Sequence, residues 1–383
     1  MSTNHCPACA SASAHLLEWE FSGLGDSVFN YTADFHACPA CGLVYVRNVT
    51  DAALARFYVE ECSYFEKPHF AVTSPANQKK YAFYLRFLRE HGINSVAMAD
   101  VGCGRGGFVN WMADSGWEQE CWGVDVDARS LPANAGASVN VSFNNGSCLN
   151  LPFAEGRLDL LTYFHVLEHI RDLSALLTEA SRVLGENGHI LIEVPDAENY
   201  AGTPIGSAFW FSIREHINHF TAKALAAALE AHGFTVRDVS RQMLETPEFA
   251  YPSLVILAQK SATLPSIALP AAADIAGFAR MSRQALVRQA DQISALAANR
   301  GVTIWGCSAE LFSLLPLFDT GEMRLCDSSK LKQTTNYKGM PIEDPAAVPV
   351  EGMLVIAPYL HQTAIKAAAQ RLGWPDNALY LLE

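Results

Sequence analysis

Residues 100–107 read DVGCGRGG, and this stretch decides the fold. It follows the apolar run VAMADVG and precedes FVNWMADSG, in which apolar residues recur at helical spacing. Outward from it, to about residue 257, helices alternate with the strand-like runs CWGVDVD, LDLLTYFH, HILIEVP and LVILAQ. This alternation predicts an α/β fold with a Rossmann-like core, in which a parallel sheet carries helices on both faces.

The glycine loop predicts a nucleotide-type ligand. Gly102, Gly104 and Gly107 formally satisfy G-x-G-x-x-G, the loop that seats a pyrophosphate on a helix N-terminus. Asp100, two residues before the first glycine, would repel that pyrophosphate and instead suits a ligand that carries an ammonium group. Asp125 ends the next strand, where ribose hydroxyls are usually bound. A dinucleotide-dependent oxidoreductase and a tight turn without a ligand remain alternatives.

These residues resemble class I S-adenosylmethionine (SAM) methyltransferases. The similar features are D-x-G-C-G-x-G, the acidic residue that closes the second strand, LPF before a strand and HVLEHI after it. The resemblance implies that the glycine loop holds the methionine part of the cofactor, that Asp125 binds the ribose, and that Val126 flanks the adenine. The cofactor-binding residues expected on this basis are Asp100, Gly102, Gly104, Gly106, Asp125, Val126, Ser147, Cys148 and His165. For His165, simple packing at a helix start is the alternative.

Four of the ten cysteines form two C-x2-C pairs, Cys6 with Cys9 and Cys38 with Cys41. Two such knuckles supply the four thiolates of a tetrahedral zinc site, and 28 intervening residues cost little because loop-closure entropy grows only logarithmically with length. We expect structural Zn²⁺ here, since the protein fills all four positions. Two disulfides or unliganded thiols are the alternatives, and the other six cysteines are expected to be buried thiols.

Nearly the whole chain resembles sugar C-methyltransferases, which act on nucleotide-linked deoxysugars. The resemblance lies in the two CPAC pairs, in FSIREHINHF (211–220) and in DSSKLKQTTNYKGMPIEDP (327–345). It implies a nucleotide-diphosphate sugar as substrate. The expected domains are a zinc module (1–50), a helical connector (51–92), the SAM-dependent core (93–260), a linker with a long helix (261–300) and a small Rossmann-like α/β domain (301–383).

The segment 211–220 carries the expected catalytic residues. The family pattern is Y-x-E-H, and this chain keeps Glu215 and His216 but has Ile213 in place of the tyrosine. The resemblance also implies roles for His169, in HVLEHI, and for Tyr64, in CSYFE.

Carbon methylation next to a ketone calls for a base of near-neutral pKa, which histidine provides. We expect His216 to be that base, Glu215 to orient its ring, and His169 or Arg214 to donate to the enolate oxygen. Packing of His169 at a helix start, a second metal site and transfer to oxygen or nitrogen remain alternatives. So does a SAM-binding regulatory protein without catalysis.

Charge and hydropathy restrict the partners. The chain has 383 residues, and 27 Lys and Arg against 40 Asp and Glu give a net charge of −13. This balance argues against a nucleic-acid surface, and phosphate-bearing substrates would depend on local cations. The sequence has no run of about 18 apolar residues, so we expect no membrane span. The opening MSTNHCPACA lacks the features of a secretory signal. We therefore expect a cytoplasmic protein with a small-molecule substrate; the sequence predicts no oligomeric state.

Overall fold

The computed structural model describes residues 5–61, 74–132, 140–203, 205–206, 208–245, 250–261, 265–318 and 323–382. In these residues the chain forms three β-sheets with flanking helices, and the fold is α/β as predicted. The helices are α1 (Asp51–Arg56), α2 (Pro75–Glu90), α3 (Gly107–Asp114), α4 (Leu173–Val183), α5 (Phe209–Ser212), α6 (Ala222–Glu230), α7 (Ile275–Arg300), α8 (Ala309–Leu314) and α9 (Gln362–Arg371). The strands are β1 (Ala14–Phe21), β2 (Tyr31–Ala37), β3 (Val44–Val46), β4 (Met98–Val101), β5 (Cys121–Asp125), β6 (Val141–Asn145), β7 (Leu158–Phe164), β8 (Leu184–Pro195), β9 (Asn218–His219), β10 (Phe234–Glu245), β11 (Ala250–Lys260), β12 (Val302–Trp305), β13 (Met323–Cys326), β14 (Asn336–Tyr337), β15 (Met340–Glu343), β16 (Met353–Ile356) and β17 (Leu379–Leu381).

The central sheet has the order β10-β11-β8-β7-β4-β5-β6. From β6 to β8 the neighbouring strands are parallel, with β4 paired to β5 on one side and to β7 on the other. The chain therefore reverses its winding direction at β4, and ligands of doubly wound sheets bind outside the strand ends at such a point. Residues 102–106 lie there, directly after β4.

The sheet is mixed, whereas the sequence pattern predicted a parallel one. β11 runs antiparallel to β8, and β10 runs antiparallel to β11. β10 and β11 are consecutive strands that pair from Phe234 opposite Lys260 to Glu245 opposite Ala250, with one shift of register between Val236 and Asp238. Their local antiparallel pairing adds the last two strands without a crossover helix.

Glycines follow the ends of two helices. α2 stops at Glu90, and Gly92 follows in the left-handed region with φ of 76°. The long helix α7 stops at Arg300, and Gly301 has φ of 71°. Glycine adopts such angles without the strain that a Cβ brings, so both stops follow from the local sequence.

The N-terminal sheet has the order β1-β2-β3-β9 and borrows its last strand from the core segment 211–220. Val44 pairs with His219 and Tyr45 with Asn218. The cysteine-bearing module and the segment 211–220 are therefore joined by backbone hydrogen bonds. The domain boundaries remain a prediction. The shared sheet combines strands of the predicted zinc module (1–50) with a strand of the predicted core (93–260).

The C-terminal sheet has the order β14-β15-β13-β12-β16-β17. All neighbouring pairs in it are parallel except β14 with β15. A continuous apolar cluster joins this sheet to the N-terminal one and includes Trp19, Phe211 and Ile304. Within the described chain, no helix has the length and apolar character that crossing a bilayer requires.

Candidate active site

The glycine loop after β4 needs glycine for two different reasons. Gly102, Gly104 and Gly106 have φ of 80°, 52° and 69°, all in the left-handed region. A Cβ on Gly102 would lie 2.5 Å from Val166 Cγ2, and one on Gly106 would lie 2.2 Å from the Phe143 ring. A Cβ on Gly104 would meet no atom within 4 Å. Packing thus leaves no room for a side chain at positions 102 and 106, while Gly104 faces open space where a ligand can approach the backbone.

Two carboxylates flank this loop. Asp100 is buried, its Oδ1 accepts a hydrogen bond from Thr162 Oγ1 at 2.7 Å, and burial raises its pKa to about 7. Asp125 Oδ2 accepts from the Gly104 amide at 2.8 Å, so this carboxylate fixes the loop against the end of β5. Burial also raises the pKa of Asp125. A cation bound beside either group would favour its charged form and lower its pKa.

Beyond Asp125 lies an exposed apolar surface. Val126 is 62% exposed, and the Asn145 side-chain amide donates to the backbone oxygens of Asp125 and Val126 at 2.9 Å each. Ser147 and Cys148 follow the end of the adjacent strand β6, and burial raises the pKa of the Cys148 thiol to about 11. The thiol is therefore neutral, and this edge offers apolar surface of the kind that an aromatic ring covers.

His165, directly after β7, is part of a buried ionic network and does not merely pack at a helix start. Its φ is 57°, which is strained for a residue with a side chain. Its Nδ1 donates to Glu168 Oε1 at 3.0 Å, and its Nε2 contacts the Tyr251 hydroxyl and lies 3.5 Å from Glu193 Oε1. Burial lowers the pKa of His165, but the Glu193 and Glu168 carboxylates outweigh this and raise the pKa to about 9. The ring is therefore an imidazolium at neutral pH.

Glu193, in β8, is the fully buried partner of this imidazolium. Its carboxylate accepts from Ser253 Oγ at 2.6 Å, from the Tyr251 hydroxyl at 3.1 Å and from the Tyr84 hydroxyl. Burial raises the pKa of Glu193, but the charge of His165 outweighs it and lowers the pKa to about 2. The sequence analysis did not single out Glu193. Its position as the one acidic residue in the apolar run HILIEVP could have indicated a buried charge.

The structure brings His169 and His216 together. Their ring centroids lie 4.8 Å apart with an interplanar angle of 77°. His169 Nδ1 lies 3.0 Å from the carbonyl oxygen of Glu215, which only accepts, so Nδ1 carries the proton and Nε2 the lone pair. His169 Nε2 lies 3.9 Å from Glu168 Oε1. Burial, followed by the neighbouring His169, lowers the pKa of His216 well below its ordinary value, so that ring is neutral.

This pair adjoins the glycine loop. Val166, which packs against Gly102, immediately precedes the helical turn Leu167–His169. The predicted cofactor loop and the predicted catalytic histidines therefore line the same end of the sheet.

Glu215 contributes a backbone contact to the site. The sequence suggested that its carboxylate orients His216, which stays a prediction; its backbone carbonyl accepts from His169 Nδ1 at 3.0 Å. Within the described chain, His216 Nδ1 is buried and has no hydrogen-bond partner. The Glu215 side chain is buried, at 8% exposure.

Arg214 does not serve the predicted role of donor to the acceptor's oxygen. Its guanidinium donates to the Ser22 carbonyl at 2.8 Å and lies over the rings of Phe29 and Phe312, at 5.0 and 4.7 Å. Because Phe29 belongs to the N-terminal module and Phe312 to α8, the arginine links these parts of the fold.

The predicted tyrosine, Tyr64, lies outside the described residues. Another tyrosine that precedes the core, Tyr58, lies edge-on to His169, with ring centroids 6.1 Å apart and an interplanar angle of 84°. Its side chain is half-buried, and its carbonyl accepts from Arg129 at 2.6 Å. Tyr58 was absent from the prediction because its position beside His169 depends on how α1 packs on the core.

The four paired cysteines converge as a metal site requires. One sulfur from each of Cys6, Cys9, Cys38 and Cys41 lies within 4.8 Å of the other three, and the closest pairs are 3.5 and 3.6 Å apart. These separations exclude disulfide bonds, whose S–S length is about 2.05 Å. They are close to the spacing of about 3.8 Å between thiolates that share a tetrahedral zinc ion. The hydrogen bond with Cys41 lowers the pKa of Cys6 to about 5.

In the C-terminal sheet, Asp327 follows β13 as a ribose-binding acid would. Its Oδ2 accepts from the Cys307 amide at 2.8 Å, which repeats the contact between Asp125 and Gly104. Lys332 Nζ, however, donates to the same carboxylate oxygen at 3.0 Å and to the Cys307 carbonyl at 2.9 Å. A lysine of the same domain thus already pairs with Asp327, and the carboxylate stabilises this turn.

The family model for a methyltransferase domain matches residues 79–239. This segment is therefore similar to methyltransferase domains. It contains the glycine loop, both flanking carboxylates and the two histidines, and it forms the Rossmann-like methyltransferase fold.

The methyltransferase domain is also similar to curated proteins. It is 33% identical over 101 residues to ajmaline N-methyltransferase of Rauvolfia serpentina; this alignment covers 25% of this chain and 34% of that protein. It is 31% identical over 102 residues to a probable chloroplastic tocopherol O-methyltransferase of Oryza sativa subsp. japonica; this alignment covers 25% of this chain and 28% of that protein. The chain thus spans about a third of the length of these relatives.

A solved structure, geranyl diphosphate C-methyltransferase from Streptomyces coelicolor in complex with Mg²⁺, geranyl diphosphate and S-adenosyl-L-homocysteine, aligns with 55% of this chain. The alignment covers 97% of that chain, with 16% identity and a TM-score of 0.40.

Proposed function

We propose that the protein transfers a methyl group from SAM to a small polar acceptor held beside His169 and His216. The observation that supports this proposal is the close approach of Gly102 to Val166, the residue before the turn that bears His169. Most acceleration of an in-line displacement comes from positioning the two reactants, and the glycine loop and His169 lie at the same end of the sheet.

SAM, when bound, would supply an electrophilic methyl group on a sulfonium. The residues present suit it: Asp100 offers a buried carboxylate to an ammonium group, and Gly104 leaves space above the backbone. We propose that Asp125 accepts from ribose hydroxyls, since each carboxylate oxygen that already accepts a backbone amide retains a second lone pair. Val126 would cover one face of the adenine, with Ser147 and Cys148 at its edge. His165 would contribute through the charge that it places beneath the cleft.

We propose a nucleotide-linked keto-sugar as acceptor, methylated at the carbon next to the ketone. His216 would take the proton and His169 would face the developing enolate. Because burial lowers the pKa of His216 well below its ordinary value, binding of the acceptor would have to raise that pKa for this step. Glu215 would act through its carbonyl, which holds the His169 ring. Tyr64 remains a predicted contributor to this pocket. The enolate carbon would attack the methyl carbon of SAM in line with its bond to sulfur, so that the new C–C bond forms as the C–S bond breaks and S-adenosylhomocysteine leaves.

Transfer to oxygen or nitrogen is the second candidate. Ile213 stands where the family pattern has tyrosine, and it packs against the apolar cluster that includes Trp19 and Phe211. The curated relatives bear names of N- and O-methyltransferases. A non-catalytic SAM-binding protein would keep the cofactor loop without any acceptor.

The deciding experiment incubates the full chain and ¹³C-methyl-labelled SAM with a panel of nucleotide-linked keto-sugars, and locates the label by NMR. We expect label on carbon, together with loss of the solvent-exchangeable proton at that carbon in the wild type. His216→Ala should stop both while S-adenosylhomocysteine still binds, and His232→Ala, a change in a histidine just after the end of α6, serves as control. Label on oxygen or nitrogen would establish the second candidate, and label on no acceptor would contradict the proposed activity.

We further propose that Cys6, Cys9, Cys38 and Cys41 hold a structural zinc ion. SAM-binding chemistry does not need it, but the module supplies the sheet edge on which β9 pairs. The ion would therefore stabilise the strand that follows His216 in sequence.

A further inference from the structure

Two buried polar atoms beside the predicted catalytic pair lack hydrogen-bond partners among the described residues. They are Glu168 Oε2 and His216 Nδ1. Glu168 is only 1% exposed, so solvent does not satisfy its carboxylate. Native proteins rarely leave such groups unsatisfied, and two of them in one place point to a bound water or ion.

A third potential ligand completes the group. One ligand atom from each of Glu168, His169 and His216 lies within 4.8 Å of the other two. His169 is held through Nδ1 by the Glu215 carbonyl, which leaves the Nε2 lone pair directed away from that bond. Metal-binding histidines are oriented in this manner, with the second ring nitrogen donating to a carbonyl or carboxylate.

The carboxylate is also held by a second residue. His165 Nδ1 donates to Glu168 Oε1 at 3.0 Å, so Oε2 is the oxygen that remains for a ligand. A cation there would satisfy Oε2. A water molecule could bridge the two atoms, whereas a cation would in addition bind a ligand atom of His169.

We propose that Glu168, His169 and His216 form a binding site for a divalent transition-metal ion, separate from the four cysteines. Two imidazoles and one carboxylate are the ligand types that zinc and non-haem iron accept, and three protein ligands leave coordination positions open. Bonds of about 2.1 Å would draw the ligand atoms to about 3.4 Å from one another, a movement that side-chain rotation supplies.

This inference rests on the proposed function and deepens it. The open positions would accept the ketone oxygen of the acceptor and a hydroxide ion. The ion would stabilise the enolate, and the bound hydroxide would take the proton from carbon and become water. His216 would then act as a ligand, while the methyl donor and the glycine loop keep the roles proposed above.

The test counts zinc. The full chain is dialysed against buffer with a fixed free Zn²⁺ concentration, and bound zinc per chain is measured by elemental mass spectrometry. We expect two zinc ions per wild-type chain and one in Glu168→Gln and in His169→Ala, with affinity at the second site reduced about tenfold or more. Glu230→Gln, the same change on an exposed residue of α6, should keep two.

Saturation of the wild type at one zinc ion that both Glu168→Gln and His169→Ala retain would overturn the proposed site. So would two ions in both Glu168→Gln and His169→Ala. S-adenosylhomocysteine binding checks that the variants fold. Methyl transfer by a chain that holds one zinc would reject the metal site and leave the proposed function intact. A second zinc ion without transfer to any acceptor would reject the proposed function and leave the site.

Discussion

Asp100→Asn should stabilise the cofactor-free protein and weaken its binding of the cofactor. Asp100 is buried in β4, and its hydrogen bond from Thr162 is one that an asparagine oxygen can also accept. The substitution therefore removes a charge and keeps the shape. A buried carboxylate without a cationic partner destabilises the free protein. When the ammonium group of the ligand binds beside it, the same carboxylate stabilises the complex.

The magnitude follows from the pKa of Asp100, which burial raises from 3.8 to about 7. Between pH of about 4 and 7 the folded protein binds more protons at this group than the unfolded chain, so the free energy of unfolding falls as pH rises through that window. The full difference, reached above pH of about 7, is at most about 4 kcal/mol. The amide of the Asp100→Asn variant does not titrate, so the variant should gain most stability at pH 8 and little at pH 4.

The assay is urea unfolding of the free protein at pH 4, 6 and 8, following the transition whose midpoint rises when S-adenosylhomocysteine is added. Calorimetry should show affinity for that ligand reduced about tenfold to a hundredfold, the value of a hydrogen bond to a charged group. Asp291→Asn, on an exposed position of α7, is the control and should change neither quantity. An equal pH dependence in wild type and Asp100→Asn, or unchanged affinity, would refute the reasoning.

Three further predictions test other parts of the site. Gly106→Ala should lower the free energy of unfolding by about 1–3 kcal/mol more than Gly104→Ala, because only at position 106 does the new Cβ meet an aromatic ring at 2.2 Å; equal costs in chemical denaturation would contradict the packing argument. Glu193→Gln should lower the pKa of His165 from about 9, because the main opposing charge is lost; NMR titration of the ring checks this, and a pKa that stays near 9 would show that Glu193 is not its partner. Cys38→Ser, or zinc removal by a chelator, should unfold the N-terminal module while S-adenosylhomocysteine still binds; Cys121→Ser, in the buried strand β5, is the comparison that should retain zinc, and an unchanged zinc content in Cys38→Ser would reject the four-thiolate site.

Short-range patterns predicted much of this molecule. The loop around Gly104 and each C-x2-C pair are defined by residues within a few positions of each other, so their spacing alone indicated a nucleotide-type loop and two metal-binding knuckles. The ends of α2 and α7 likewise follow from single glycines. In each case the determining interaction is local, which is why sequence reasoning reached it. The meeting of the two C-x2-C pairs, which 28 residues separate, is a long-range contact.

Long-range contacts account for what the sequence did not predict. The ionic network of His165 draws on Glu193 and Tyr251, which lie on different strands and meet only when the sheet is assembled. Arg214 looked like a donor to the acceptor because it lies next to Glu215, yet its contacts are with Ser22 and two distant rings. The pairing of β9 with β3 joins segments that are far apart in the chain and could not be read from composition.

The central claim is that the loop at residues 102–106, between Asp100 and Asp125, holds SAM. The most direct measurement is a calorimetric titration of the full chain with S-adenosylhomocysteine and, separately, with NADH. We expect one S-adenosylhomocysteine per chain, clearly weaker binding in Asp125→Ala because the Gly104 amide loses its partner, and no heat with NADH. Binding of NADH without binding of S-adenosylhomocysteine would contradict the account.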